Sequence, residues 1–380
     1  MHKRIFFIFT IIFILFLMYS FAGFDGNVTF IKGKAFFKDT ENLRERILEI
    51  GIKENFVKKI IKTTKGSIAI IILNNEAEIR CGENTQIYFQ EDKIKILSGK
   101  VWMRKIKSEK EFTVETLKKK LKVSYGSFNI DSDRKAIEVY NGAGIVIDNK
   151  RNTFLDKNKK YEGASVKNIE NKDDDWVEWN LKRDKIDMVV TFDFNNKNTN
   201  EITEIIKKVL IEKYIFSDII ILDKKMQVPE CDVILICDFD INSKNVKINS
   251  KLKNGINEKI LTFFEIEHSD LNNGLFLLLS QVTNYLEIEY FKNIIINGKD
   301  IIIEVNNIKS EEIDILKEYV TNITGIKNVK IDEFYGQKVV FHILYSGIAD
   351  DIVEYFKEKK IKEKNINIWK YSKNIVKLNL

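Results

Sequence analysis

The 380 residues include only three cysteines, three histidines and one proline, and each scarcity removes a class of protein. Three cysteines are too few for a disulfide scaffold. Cys231 and Cys237 lie six apart in one strand-like run, on a shared face but ~20 Å apart, too far to bond within a strand. Cys81 stands elsewhere, so all three are expected to be free, mostly buried thiols. Proline occurs only at Pro229 and glycine 17 times, which excludes a collagenous or Pro/Gly-rich disordered chain. With only His2, His268 and His342, no clustered set of zinc ligands exists. His342 lies inside the apolar run Val339 to Leu344, where a hydrogen-bonded structural role is favoured over a catalytic one. No Gly-x-Ser-x-Gly elbow, phosphate loop or dinucleotide fingerprint is present. Gly142-Ala143-Gly144 reads as part of a hairpin with no helix after it.

What is plentiful is the material of a folded protein: 44% hydrophobic and 31% charged residues. The length allows two or three domains. The net charge of +6 is spread among interleaved acids, and no basic tract alternates with aromatics, so no nucleic-acid partner is expected.

Lys3 and Arg4 precede a run from Ile5 to Ala22 whose only polar residues are Thr10, Tyr19 and Ser20. A basic start, an apolar stretch and the small-x-small pattern Ser20-Phe21-Ala22 form a secretory signal, cut between Ala22 and Gly23. The alternative is a retained inner-membrane anchor, since about 18 apolar residues is the lower limit for a spanning helix. Either way Lys3 and Arg4 stay inside and the body is exported to the periplasm or beyond. No cysteine near the apolar run suggests a lipid anchor.

From Gly26 to about Ile147 short apolar or alternating runs are separated by turn residues. Examples are Val28 to Ile31, Ile68 to Leu73, Ile87 to Phe89, Val123 to Ile130 and Ile137 to Tyr140. Asn74-Asn75, Gly82-Glu83-Asn84, Ser98-Gly99, Tyr125-Gly126-Ser127 and Asn141-Gly142 supply the punctuation. Many strands at this spacing predict an all-β sandwich, barrel or roll. One helix is expected from Glu41 to Ile50, with Leu43, Ile47 and Ile50 at helical spacing and Gly51 as its C-terminal cap.

This stretch resembles the FecR-type periplasmic domain. The matching pieces are Gly26-Asn27-Val28, Ile60-Ile61-Lys62-Thr63, Gly66-Ser67-Ile68-Ala69-Ile70, Leu73-Asn74-Asn75 and Gly82-Glu83-Asn84-Thr85. Then come Ile96-Leu97-Ser98-Gly99-Lys100-Val101-Trp102, Phe112-Thr113-Val114-Glu115-Thr116, Val123 to Ile130 and Val139-Tyr140-Asn141-Gly142. Ser127 stands where the family usually has threonine in a Gly-Thr-Phe motif. The resemblance implies a domain able to relay signals from an outer-membrane transporter to a cytoplasmic sigma factor. Only Met1 to Arg4 precede the apolar run, however, so direct sigma-factor contact is not expected.

A polar linker is expected from Asn149 to Asn171. Asp173-Asp174-Asp175 then reads as a helix N-terminus, because carboxylates complement the helix dipole. Trp176-Val177-Glu178-Trp179-Asn180-Leu181-Lys182-Arg183-Asp184 resembles the Trp-Asn-x-x-Arg-Asp helix that follows exported FecR domains. Trp176 and Trp179 share a face, expected to pack on the β domain, with sugar stacking as the alternative.

From Lys185 the order is β-α-β-β-β-β-α, an α/β sandwich. It resembles loosely the TolB N-terminal, CsgG and flagellar FlgT envelope domains, through Cys231-Asp232-Val233-Ile234-Leu235. The last segments give β-α-β-β-α-β, the split βαβ ferredoxin-like arrangement, with Ile366 to Ile368 or Ile375 to Leu378 as the closing strand. The expected fold is therefore multidomain. A signal peptide or anchor (1–22) precedes an all-β FecR-like domain (23–148). A polar linker and Trp helix (149–184), an α/β domain (185–292) and a ferredoxin-like α+β domain (293–380) follow.

Catalytic groups are not expected. Asp131 with Asp133 and Asp238 with Asp240 fall at spacings that meet the ~5 to 9.5 Å separation of glycosidase carboxyls, as such pairs do by accident in many strands. No catalytic, cofactor or metal residues are assigned. Trp102, Tyr88, Trp176 and Trp179 are the candidate binding surface, though aromatics of β domains are usually core. The expected function is a non-catalytic exported envelope protein acting in assembly or signalling through protein–protein contacts. Envelope proteins, outer-membrane or motility components among them, would be its partners. Glycan or peptidoglycan binding is the alternative.

Overall fold

A computed structural model describes residues 23–41, 44–106, 111–116, 119–149, 151–170, 174–193, 198–241 and 245–380. The basic start, the apolar run and Ala22 lie outside the described residues. Among the described residues no helix is long and apolar enough to cross a membrane. The chain divides into two compact units, 1–169 and 170–380.

In the first unit the alternating sequence becomes strand almost without interruption. β1 (Asp25–Lys32), β2 (Ala35–Asp39), β3 (Glu45–Ile47) and β4 (Lys53–Asn55) open it. β5 (Lys59–Thr63), β6 (Ile68–Leu73), β7 (Ala77–Cys81) and β8 (Gln86–Phe89) follow. β9 (Ile94–Ser98), β10 (Lys100–Lys105) and β11 (Phe112–Glu115) lead to a long hairpin of β12 (Lys119–Asp131) and β13 (Ala136–Asp148). β14 (Arg151–Asp156), β15 (Lys159–Glu162) and β16 (Ser165–Asn168) complete one curled sheet. Its order is β3-β2-β5-β8-β9-β11-β12-β10-β7-β6-β1-β4, with β13 to β16 branching from β12. Because strand side chains alternate between faces, one face of the inner strands feeds a single core that includes Val28, Ile71, Ile79, Phe89, Met103, Phe128 and Val139.

Three expectations are corrected here. The helix from Glu41 to Ile50 does not form: β3 pairs with β2, Leu48 is buried, and Ile47 and Ile50 are exposed. A helical stripe and a strand alternation are easily confused over so few residues. Leu43 lies outside the described residues. The polar linker is not open chain either, since β14 and β15 pair with β13 and β16 with β15. These outer strands bury little beyond Leu155 and Tyr161, so their sequence carries almost no apolar signal.

Third, Tyr125-Gly126-Ser127 and Asn141-Gly142 are not turns. Gly126 and Gly142 face each other inside the β12–β13 ladder, both at positive φ (123° and 77°). There the hairpin bends and changes partners. On one side β12 pairs with β11 and β13 with β14; on the other, β10 and β15 are the neighbours. The turn lies beyond Asp131, whose carboxylate accepts from Arg134 N (2.8 Å).

The second unit begins with α1 (Asp175–Asp184), followed by β17 (Ile186–Phe192), α2 (Thr199–Ile211) and β18 (Phe216–Asp223). β19 (Val233–Ile241), β20 (Val246–Asn254), β21 (Ile260–His268) and α3 (Leu271–Tyr285) come next. A π-helical turn (Leu286–Tyr290) joins α3 to α4 (Phe291–Asn297). The sheet order is β18-β17-β19-β20-β21, parallel at both edges of β17. β17 is apolar on both faces because both are covered: Met188 and Val190 pack with α2 and α3, Val189 with Cys231 and Ile234. The β-α-β-β-β-β-α order expected from the sequence is the one observed. Cys231 precedes β19 and joins the cluster opposite to that of Cys237, so the two thiols do not share a face.

The last sheet contains β22 (Lys299–Asn306), α5 (Ile313–Thr321), β23 (Ile326–Tyr335), β24 (Lys338–Tyr345) and α6 (Ala349–Lys357). A small ribbon, β25 (Lys360–Ile361) with β26 (Lys364–Asn365), precedes β27 (Asn367–Tyr371) and β28 (Ile375–Asn379). The order is β23-β24-β22-β28-β27. Both candidates for the closing strand form, as a hairpin, and β28 runs parallel to β22. The ferredoxin-like order thus holds through α6 and ends in a mixed sheet with one added edge strand.

Candidate functional site

Helix α1 starts where the acidic triplet predicts: Asp174 accepts from Trp176 N (3.0 Å) and caps it. Its Trp-Asn-x-x-Arg-Asp motif is spent on anchoring. Asn180, Arg183 and Asp184 are buried. Asn180 Nδ2 donates to Trp176 O (2.7 Å). The Arg183 guanidinium donates to the carbonyls of Ser346 and Gly347, at the junction of β24 and α6. Lys182 pairs with Asp350 at 2.8 Å, and the bond to Asp350 raises the amine's pKa. Trp179 Nε1 donates to Asp351 (3.3 Å). The tryptophan face expected on the β domain therefore has Trp179 bonded to α6.

Between α1 and the start of α6 lies a cleft of about 470 Å³. Leu181, Ile301, Ile348, Ala349 and Tyr371 supply apolar wall, and Asp187, Ser217, Lys299 and Lys373 a polar end. Behind that end Asp232 is almost fully buried. It accepts from Asp187 N (2.8 Å) and Asn374 Nδ2 (3.2 Å), and pairs with Lys299 (3.5 Å) and Lys373 (3.4 Å). Burial alone would raise the Asp232 carboxyl; the charges of Lys299 and Lys373 and the Asp187 N–H outweigh it and hold the group below its usual range. Burial pulls the Lys299 amine down to about 8, with Asp232 opposing. Lys299 also donates to Lys185 O (3.2 Å), so the first residue of β22 ties the two sheets of this unit together.

Lys373 Nζ stands 2.7 Å from Ser217 Oγ, the contact of a serine–lysine pair. A lysine that activates a nucleophile needs a free lone pair. This ammonium instead faces three oxygens, those of Ser217, Asp187 and Asp232, and the Ser217 hydroxyl donates to Asp187. The arrangement can seat the polar end of a ligand or partner side chain; its geometry is that of a donor cluster. Nothing in the sequence announced it, because Asp187, Ser217, Asp232, Lys299 and Lys373 come from five separate segments. The one available signal was a charged residue at the mouth of an apolar strand, as in Cys231-Asp232-Val233 and Gly298-Lys299-Asp300.

The residues selected from the sequence fare unevenly. Trp102 is wholly buried and packs on Tyr140 with ring centroids 4.8 Å apart, so it presents no binding surface. Tyr88 is half-buried on β8, which is not adjacent to β10 in the sheet, and the two aromatics form no joint platform. Trp176 and Trp179 are half-buried and parallel, 6.3 Å apart with planes 8° from each other. Asp131 closes the β12–β13 turn, while Asp133 accepts from Gly99 N (3.3 Å), between β9 and β10. Asp238 is exposed and paired with Lys224. His268 accepts from Asp270 N (3.0 Å) ahead of α3. Burial pushes the thiols of Cys81 and Cys231 up to about 12 and that of Cys237 higher still, which leaves them unreactive.

The recurring residues of the first unit close turns. Thr85 Oγ1 accepts from Lys100 N (3.0 Å) and donates to Lys100 O (2.9 Å), while Thr85 N donates to Thr63 Oγ1 (2.9 Å). Gly99, at φ 80°, passes so close to Thr85 that a Cβ would lie 2.6 Å from its Cα. Asn74 and Asn75 take the paired positive φ of a hairpin turn (51° and 56°).

Comparison with known proteins agrees with that pattern. Residues 59–144 match the family described as FecR protein. No curated protein matches the chain. Two crystal structures of a candidate anti-sigma factor from Parabacteroides distasonis, at 2.50 and 1.65 Å resolution, align over 44% of this chain and 99% of theirs. Their identities are 17% and 16% and the TM-score is 0.28 for both, too low for any inference about fold or function. Over residues 59–144 the chain carries a FecR-type domain.

Proposed function

We propose that this is a non-catalytic, exported envelope protein that acts in envelope assembly or signalling through protein–protein contacts. The FecR-type domain carries this proposal: its recurring residues are used to build turns, so what it offers is a shaped surface. Export rests on Lys3, Arg4 and the apolar run to Ala22. The edges of the C-terminal sheet add support. Phe334 and Tyr335 on β23, and Trp369 and Tyr371 on β27, are all exposed, and aromatic residues on open edge strands suit protein contact. Envelope proteins, outer-membrane or motility components among them, are the proposed partners.

A pull-down from cross-linked envelopes, with fractionation of the same cells, tests this. One stoichiometric protein partner in an envelope fraction is the expected result. Recovery only from the cytoplasm, or without any partner protein, would overturn it. The parallel Trp176–Trp179 pair favours a second function, stacking on a sugar ring. Enrichment of bare peptidoglycan, abolished by Trp176→Ala, would support that alternative.

A further inference from the structure

His342 is the central member of a polar chain that crosses the second unit. Asn254 on β20 donates to Asp300 Oδ2 (2.8 Å). Asp300 Oδ1, on β22, lies 2.7 Å from His342 Nε2. His342 Nδ1, on β24, lies 3.3 Å from Asp332 Oδ2 on β23. Lys330 in turn pairs with Asp332. A neutral imidazole donates from one nitrogen only and presents a lone pair at the other. With Nε2 hydrogen-bonded to Asp300 and Nδ1 within ion-pair distance of Asp332, both carboxylates attract the ring fully only when it is the imidazolium.

The position of Asp332 is unusual in the same sense. The β23–β24 register shifts between Ile331 and Glu333, so Asp332 is the extra residue of a β-bulge. Lys330 is paired directly with His342, and Asp332, two residues on, lies toward the same face, with its carboxylate 3.3 Å from the imidazole. β23 needs such a tie: it is an edge strand paired only with β24, and most of its residues are exposed.

We infer that His342 is a pH-sensitive clasp that holds edge strand β23, and with it the exposed Ile331, Phe334 and Tyr335, against the sheet. The charged groups facing it are Asp300 from β22 and Asp332 and Lys330 from β23. The bond to Asp300 raises the imidazole pKa, burial opposes it, and the Asp300 and Asp332 charges add to the rise. A raised folded pKa means the clasp is fully formed below the ordinary value of 6.5 and is lost as pH climbs through the folded value. The neutral ring keeps its shorter bond to Asp300, turns a lone pair on Asp332, and frees the strand at the bulge.

The test uses the full-length chain. With only three histidines, imidazole NMR resolves His342 once His2→Gln and His268→Gln identify the other two resonances. Hydrogen exchange of residues 326–335 is followed over the same titration, from about pH 5.5 to about 9, corrected for intrinsic rates. The expected result is a His342 midpoint above 6.5 and roughly tenfold faster β23 exchange above it. Asp332→Asn should lower the midpoint and leave exchange fast at every pH. A midpoint at or below the ordinary value, or β23 protection that does not change across the titration, would overturn the proposal.

Discussion

Gly142→Ala tests whether the bent hairpin is what gives the FecR-type unit its shape. Two costs add at this position. The residue holds φ 77°, a region that costs a side-chain-bearing residue about 1–2 kcal/mol. A Cβ would also lie 2.1 Å from Tyr125 O, well inside contact distance, and forced overpacking costs about 1–3 kcal/mol. The sum is about 2–5 kcal/mol, a large part of the ~5–15 kcal/mol that stabilises a domain. Gly66→Ala separates the two costs, because Gly66 has φ 67° but nothing within 4 Å of the added carbon; only about 1–2 kcal/mol is expected there. Urea unfolding followed by circular dichroism measures both, and hydrogen exchange of residues 119–148 assigns the loss to the hairpin. If Gly142→Ala costs no more than Gly66→Ala, the close approach of β12 and β13 is not what requires glycine.

Three further outcomes follow from the same geometry. Thr85→Val keeps the shape but strands the backbone N–H of Lys100, whose carbonyl keeps the Gly82 N–H (2.9 Å), and should cost about 1–2 kcal/mol in urea midpoint experiments; a loss below about 0.5 would contradict the role given to that hydroxyl. Arg183→Met removes the donors to Ser346 and Gly347 and should destabilise the second unit by about 3 kcal/mol in thermal unfolding, with little recovery in Arg183→Lys, because an ammonium lacks the planar fork. Cys81, Cys231 and Cys237 should resist iodoacetamide at pH ~8 until denaturant is added; rapid native labelling of any one would show that its burial is wrong.

The sequence by itself determined most of the element order of the C-terminal half, missing α4, the β25–β26 ribbon and the pairing of both closing strands. There buried strands are long apolar runs and helices repeat at 3.6 residues, so local pattern and tertiary role coincide. It also determined the helix start at the acidic triplet, the Asn74-Asn75 turn and the FecR-type character of residues 59–144, since turn residues answer to backbone geometry within a few positions. Tertiary structure alone decided the rest. β14 to β16 are polar strands that exist because β13 and β15 offer them open edges. The glycines at 126 and 142 look like turn residues until the opposite strand is in place. Trp102 is core because Tyr140 packs on it. The polar end of the cleft and the His342 clasp each join residues from several distant segments, through bonds whose partners lie from ten to nearly two hundred positions apart. No local pattern encodes such meetings, because charge pairing inside a fold is set by which strands become neighbours.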